Sequence, residues 1–359
     1  MFEPHPLSTQ PGLRSLEHFQ GARDHSAPED RRRAILRGAR ALHEELQSAP
    51  PVPLYAACDL VRAPYPLRYA LRDATTSRAP FIHILNRLFV VQCETPDGLK
   101  TLLVSPTDPE RSAQTPFFAR LRRRLPLRGL IEPLIAPIYA TVEACLGRLG
   151  LTPADVDYIT YDHLHTQDLR GWLGTGDTPG LFPRAKLLVT RQEWRSAAAL
   201  LEPQRDWYVP GGVAGISADR IVCFDGDVAL GPSVTLMRTP GHTEGNHSIV
   251  VRTTEGILVT SENGVSADAY APQHSSIPGL AAYARDTGMP VVLNGNTLEG
   301  GLDQYLSMLQ EREVAGPSPS RPEFPNFVPS SELTPSWIAP RVRPSVVWGA
   351  RVLGSARRP

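Results

Sequence analysis

Four cysteines are all that the 359 residues contain, and Cys58, Cys93, Cys145 and Cys223 stand far apart with no C-x-x-C pair among them. Without a secretory context they read as buried reduced thiols. Net charge is missing too. The 37 basic side chains are matched by 37 acidic ones, which removes any global reason to expect nucleic acid or an anionic membrane as partner. No run approaches the ~18 apolar residues of a membrane span, and Met1-Phe2-Glu3-Pro4-His5-Pro6 lacks the basic-then-apolar design of a signal peptide. The expectation is a soluble cytoplasmic protein. A serine nucleophile is disfavoured, because Gly215-Ile216-Ser217-Ala218-Asp219 has no second glycine to build a hydrolase elbow. The spacing in Gly174-Thr175-Gly176-Asp177-Thr178-Pro179-Gly180 is wrong for a nucleotide loop, leaving a flexible loop near the site.

What is present is ordinary for a globular protein. Apolar residues make up 41% and charged ones 21%, enough for a substantial core in one large domain with extensions or in two domains. A helix is expected over residues 28–47, with Ser26 or Asp30 as cap and Ile35, Ala39, Leu42 and Leu46 on one stripe. Strands are expected at 81–85, 87–93, 99–104, 156–160, 185–190, 220–224, 234–238, 247–252, 256–260 and 290–293. Helices are expected at 135–149, at 192–201 and around Leu298, Leu302, Tyr305 and Leu309. This mixture of strands and helices predicts an α/β layered sandwich. Arg120 to Arg128, interleaved with leucines and preceded by Phe117-Phe118, reads as an amphipathic surface segment. Beyond Gly316, eight prolines from Pro317 to Pro344 deny helix continuation. The tail is expected to run extended, with Phe324, Phe327, Trp337 and Trp348 laid against the core or a second subunit in a homodimer.

The chemistry lies in the histidines. His163-Leu164-His165 follows an alternating apolar run, so the two imidazoles can point at one ion from a strand's end. A third ligand is offered by His242 in Thr239-Pro240-Gly241-His242-Thr243-Glu244-Gly245. Three neutral imidazoles suit a borderline-soft cation such as Zn²⁺, and a fourth position left to water is the layout of a catalytic site. His83, inside a strand, reads as a satisfied half-buried histidine, and His247 as a buried hydrogen-bonding one.

These motifs, together with Val259-Thr260-Ser261-Glu262-Asn263-Gly264 and Val291-Val292-Leu293-Asn294-Gly295-Asn296, resemble the metallo-β-lactamase superfamily over residues 75–312. The resemblance implies a four-layer αββα sandwich at 66–315, flanked by an extension with one helix (1–65) and a proline-rich tail (316–359). It also implies a hydrolase in which metal-bound hydroxide attacks an ester, thioester or lactone carbonyl of a small-molecule substrate. The match departs from the family pattern at the second metal. Gln167 stands where an aspartate is usual, Asp168 where a histidine is, Glu262 where the bridging aspartate is, and Asn296 where the last histidine is. One Zn²⁺ on His163, His165 and His242 is therefore expected. A second ion, with Fe or Mn as alternatives, could take Asp168 and Glu262, or those two carboxylates could move protons instead. The loop carrying Tyr270 and His274 would border the site in this architecture, so that these two either touch substrate or belong to an ordinary surface loop. Two other readings stay open: a mononuclear-iron oxidoreductase using His163, His242 and Glu262, and a binding protein whose catalytic site has eroded.

Overall fold

The fold is built from two sheets whose facing sides carry alternating β-branched, leucine and aromatic residues. A computed structural model describes residues 12–176, 178–295 and 300–358. The first sheet contains β1 (Leu13–Leu16), β10 (Asp227–Leu230), β11 (Val234–Arg238), β12 (His247–Thr253) and β13 (Gly256–Thr260), all antiparallel and in that order. The second runs β15 (Arg351–Gly354), β2 (Leu54–Pro66), β3 (Phe81–Thr95), β4 (Gly98–Val104), β5 (Tyr158–Thr160), β8 (Lys186–Thr190) and β9 (Ile221–Phe224), and β14 (Ser331–Thr334) also pairs with β3. From β4 to β9 the strands are parallel, so the chain must cross over between them. A two-residue pair, β6 (Gly174–Thr175) with β7 (Thr178–Pro179), forms a separate hairpin.

Between the sheets, Phe89, Val91, Leu102, Val104 and Leu188 of one interlock with Val228, Leu236, Ile249, Val251 and Leu258 of the other. Outside the first sheet lie α1 (Pro28–Ser48) and α10 (Gly301–Ala315), which pack on each other and on β13. The opposite face carries α6 (Val142–Arg148) on β3 and α8 (Arg191–Ala198) on β8 and β9. Four layers result, as expected. The remaining helices are α2 (Leu67–Ala70), α3 (Pro109–Ser112), α4 (Pro116–Arg124), α5 (Arg128–Ile135), α7 (Arg170–Leu173) and α9 (Leu280–Thr287). No described helix is long and apolar enough to cross a membrane.

The structure departs from the sequence reading at identifiable points. Segments 81–85 and 87–93 are one strand, because Asn86, left between them, is paired on both sides. Of the expected helix at 135–149 only α6 forms; Ile135 is the last residue of α5, and residues 136–141 are not helical. Pro137 cannot continue α5, and Thr141 starts α6 afresh by accepting a hydrogen bond from Ala144 N–H at 3.2 Å. Helix α1 has Ala27 at its cap position with no side-chain bond, so neither Ser26 nor Asp30 caps it. Residues 290–293 form no strand; Val292 N–H donates to Ala269 at 2.7 Å from a buried extended segment. Leu298 lies outside the described residues.

Both flanking segments supply strands: β1 and most of β2 before residue 66, β14 and β15 after 315. Phe324, Phe327 and Trp348 are buried, whereas Trp337 is 66% exposed. The tail is pinned electrostatically as well. Arg87 of β3 is fully buried and ion-paired to Glu332 of β14, with Asp59 2.7 Å from its Nε. Burial works against the Arg87 charge, yet the two carboxylates hold its pKa above the ordinary guanidinium range. Glu332 also accepts from Trp348 N–H at 2.9 Å. Glu332→Gln leaves a buried guanidinium half-paired and should cost about 3–5 kcal/mol, read as a lower urea midpoint at unchanged slope.

Candidate metal centre

The site forms where the carboxyl ends of β5, β11 and β13 meet at one edge of the sandwich. Beyond β5 the chain turns through residues 161–169, and Thr166 is forced into the left-handed region (φ 63°), its N–H donating to Trp207 at 2.7 Å. A threonine in that conformation is strained and is held there by its surroundings. His163 and His165 flank the turn from inside, 5% and 4% exposed. Beyond β11, two glycines let the third histidine loop in. A Cβ on Gly241 (φ 151°) would fall 2.2 Å from Gln304 Cα, and one on Gly245 would fall 2.2 Å from Glu193 N. The Pro-Gly-His-Thr-x-Gly segment is thus clamped between α10 and α8.

The three imidazoles converge. Their ring centroids are 4.6 Å apart for His163–His165, 4.5 Å for His163–His242 and 5.1 Å for His165–His242. One ring nitrogen from each lies within 4.8 Å of the others. Burial, reinforced by the two neighbouring imidazoles, holds His165 well below its ordinary pKa, and burial with His163 pushes His242 down to about 3. Both ring nitrogens of His165 are buried with no hydrogen-bond partner among the described residues. Orphaned imidazole nitrogens inside a protein are costly unless a Lewis acid takes their lone pairs, so the donor set fits a metal ion.

The surrounding groups fix the rings. Asp162 Oδ2 lies 3.3 Å from His163 Nδ1 and accepts from Ser330 Oγ at 2.9 Å. Burial opposes the Asp162 charge, but His163 and Ser330 keep its carboxyl below the usual range. Burial likewise opposes charge on His163, yet Asp162 raises it to about 9. His242 Nδ1 faces Asn294 O at 3.5 Å, while His242 N–H donates to Asn263 Oδ1 at 3.0 Å. Such outer partners choose the tautomer and leave the other nitrogen for the metal.

The expected carboxylates part company. Glu262, 9% exposed, groups with Asp162 and His163 within 4.8 Å, and burial with the Asp162 charge raises its carboxyl to about 7. Asp168 is absent from both metal-capable groups. Its oxygens accept from Arg170 at 2.9 and 2.7 Å and from Arg111 at 3.2 Å, and against the effect of burial these arginines hold it below the usual carboxyl range. The arginine two residues downstream captures the carboxylate. Gln167 lines the same cleft, and Asn296 lies outside the described residues. Tyr270 is fully buried with its hydroxyl on Glu311, and His274 is exposed; neither borders the cleft. His83 bonds Ser336 Oγ at 2.6 Å and His247 bonds Thr160 Oγ1 at 3.0 Å, as expected of structural histidines.

Sequence reasoning missed Asp162, Glu193, Tyr65 and Asn294. Glu193 is wholly buried. Its Oε1 accepts from Leu164 N–H at 2.8 Å and Tyr208 hydroxyl at 2.9 Å, and its Oε2 accepts from Thr243 hydroxyl at 2.7 Å. The one legible signal was Thr190-x-x-Glu193, a helix-start pattern, although only the threonine half caps. Tyr65 lines the cleft and donates to Asn294 Oδ1 at 2.8 Å. The cleft holds about 490 Å³, and its walls, including Phe81, Ile84, Phe118, Leu121, Ile135 and Trp207, are chiefly apolar.

No protein-family profile matches the chain. Sequence relatives include an N-acyl homoserine lactonase, AttM, of Azorhizobium caulinodans, 29% identical over 166 residues that cover 42% of this chain and 58% of that protein. An N-acyl homoserine lactonase of a Bacillus species is 31% identical over 108 residues, covering 30% of this chain and 38% of the relative. The chain thus spans little more than half the length of the curated relatives it matches. Similar solved structures include the dizinc quorum-quenching lactonase AidC with a bound product (11% identity, TM-score 0.49, 86% of this chain and 97% of that one). Another is the hydrolase AbOPH of the β-lactamase superfamily (13%, TM-score 0.47, 87% and 97%). In sequence the chain is thus similar to N-acyl homoserine lactonases over part of its length, and it carries its histidine motifs in order on a four-layer sandwich.

Proposed function

We propose that the chain is a metal-dependent hydrolase that cleaves an ester or lactone carbonyl in a substrate with an apolar acyl part. The observation that carries this reading is the convergence of three buried imidazoles, two of which, His163 and His165, line an apolar cleft. His163, His165 and His242 would hold a divalent cation, for which Zn²⁺ suits three neutral nitrogens. When bound, that ion supplies the Lewis acidity that activates water near neutral pH and polarises a carbonyl oxygen. The protein's own groups do the rest. Asp162 and Asn294 orient the rings of His163 and His242. Glu262, whose carboxyl burial raises to about 7, would accept and return a proton, a task for which Asp168 is too firmly held by arginines. The apolar walls exclude water and receive the acyl chain. An N-acyl homoserine lactone, the substrate named for the relatives, is the first compound to test.

Chelation followed by gel filtration should remove the metal and abolish hydrolysis of acyl lactones and aryl esters. Zn²⁺ added at one equivalent should restore turnover. Full activity in metal-free protein would sink the proposal, and elemental analysis showing stoichiometric iron with O₂-dependent turnover would favour the oxidoreductase reading instead. Glu262→Gln should lower kcat about 10²- to 10⁴-fold with the metal content unchanged, as loss of a proton-transfer group does. If Glu262→Gln instead loses a metal equivalent, Glu262 is a ligand to a second ion.

A further inference from the structure

Zero net charge over the whole chain conceals a local excess. The hairpin of α4 and α5 with its flanks, residues 116–139, carries five arginines, Arg120, Arg122, Arg123, Arg124 and Arg128, against the single acid Glu132. Arg120, Arg122 and Arg128 are engaged by Asp206, Glu110 and Glu132. Arg123 and Arg124 are exposed and have no ion pair among the described residues.

The same segment concentrates exposed apolar surface. Ten large apolar side chains are exposed among the described residues, and five of them, Leu127, Leu130, Leu134, Ile138 and Tyr139, fall here, with the three leucines 74%, 72% and 66% exposed. Leu130 and Leu134, at i and i+4, make one stripe on α5, and Leu127 stands exposed at its N-terminal cap. Ile135, on the other side of the helix, faces the cleft. No residue of α4 or α5 is buried. A helix that is apolar toward the cleft and apolar again toward solvent has an unpartnered face. Trp337, beside the cleft-lining Ile338, is the other large exposed aromatic near this rim.

We infer that the α4–α5 hairpin docks on an anionic lipid surface, leucine stripe in the acyl boundary and Arg123 and Arg124 at the headgroups. A surface with apolar side chains flanked by unpaired cations is what such an interface recognises, each arginine adding an attraction that salt screens. Charge decides against the competing occupants. Pairing two copies through this face brings the same arginines together, and nucleic acid gains nothing from exposed leucines. Leu121, Arg122, Leu125 and Ile135 of the hairpin also line the cleft, so the docked face and the cleft share one structural unit. If the hydrolase reading holds, an amphiphilic substrate partitioned into lipid would reach the cleft from there.

Flotation of the full-length protein with phosphatidylcholine vesicles containing phosphatidylglycerol tests this. The expected result is binding that falls about tenfold or more on phosphatidylcholine alone or in high salt. Leu130→Ser/Leu134→Ser and Arg123→Glu should each weaken it by about tenfold. Leu302→Ser, at an exposed leucine on α10, should not. None of these residues lines the cleft, so circular dichroism and metal content should be unchanged in every variant. No flotation, or flotation indifferent to the leucine and arginine changes, overturns the inference. So does a dimer in sedimentation velocity that Leu130→Ser/Leu134→Ser dissociates while vesicles go unbound. Binding is read without turnover, so failure here leaves the hydrolase proposal standing, and an inactive protein that floats leaves this one standing.

Discussion

His165→Ala should leave a folded protein that retains no metal after dialysis and has lost at least about 10³-fold in kcat/KM. The size follows from the geometry. His165 is the proposed ligand whose two ring nitrogens are both buried without a partner among the described residues, so its imidazole has no other evident polar role. Removing it takes away one of three neutral donors, and two imidazoles hold a divalent ion far less tightly than three. A lone structural histidine would give the opposite pattern, with a stability loss and unchanged metal content. His163→Ala should also lose the metal but should cost more stability, since it leaves the buried Asp162 without its imidazole neighbour. Inductively coupled plasma analysis of both variants, with urea titrations run on the metal-free forms, separates the two effects. Retention of one equivalent of metal by His165→Ala would remove the basis for the three-histidine centre.

What the sequence made legible were groups whose chemistry is carried by local pattern. A histidine pair one residue apart at a strand's end, and a histidine inside a Pro-Gly-His-Thr-x-Gly turn, each announce a side chain aimed at the end of a sheet. The αββα layering likewise followed from strand and helix periods plus the resemblance. Longer-range bonds left no such mark. Asp168 looked available because its carboxylate stands beside the histidine pair, but Arg111, fifty-seven residues upstream, helps hold it. Asp162 was passed over although adjacent to His163, since an acid at a strand end is common and only the fold brings Ser330 to it. The tail illustrates the same limit. Proline content correctly argues against helix, yet it says nothing of Glu332, whose pairing with Arg87 across 245 residues stitches β14 to β3.

Glu193 is where that limit hides the largest remaining effect. Three donors from three segments end on its carboxylate: Leu164 N–H between the two histidines, Thr243 hydroxyl beside the third, and Tyr208 hydroxyl, whose ring packs edge-on against His165 at 4.8 Å. Removing an acceptor from buried donors costs about 1–3 kcal/mol for each one left unpaired. Glu193→Ala should therefore destabilise the protein by several kcal/mol. It should also weaken metal binding by about 10- to 100-fold in the molecules that remain folded, because the two ligand-bearing loops lose their common anchor. Glu193→Gln is the informative companion. Its amide keeps an acceptor for Leu164 N–H, and Thr243 hydroxyl can rotate to accept from the new NH₂, so most of the stability should return. Metal affinity measured by competition with a chromophoric chelator then decides what Glu193 does. A purely structural glutamate would give wild-type affinity once Glu193→Ala is corrected for its unfolded fraction. A positioning residue leaves a deficit in the folded fraction that Glu193→Gln largely repairs.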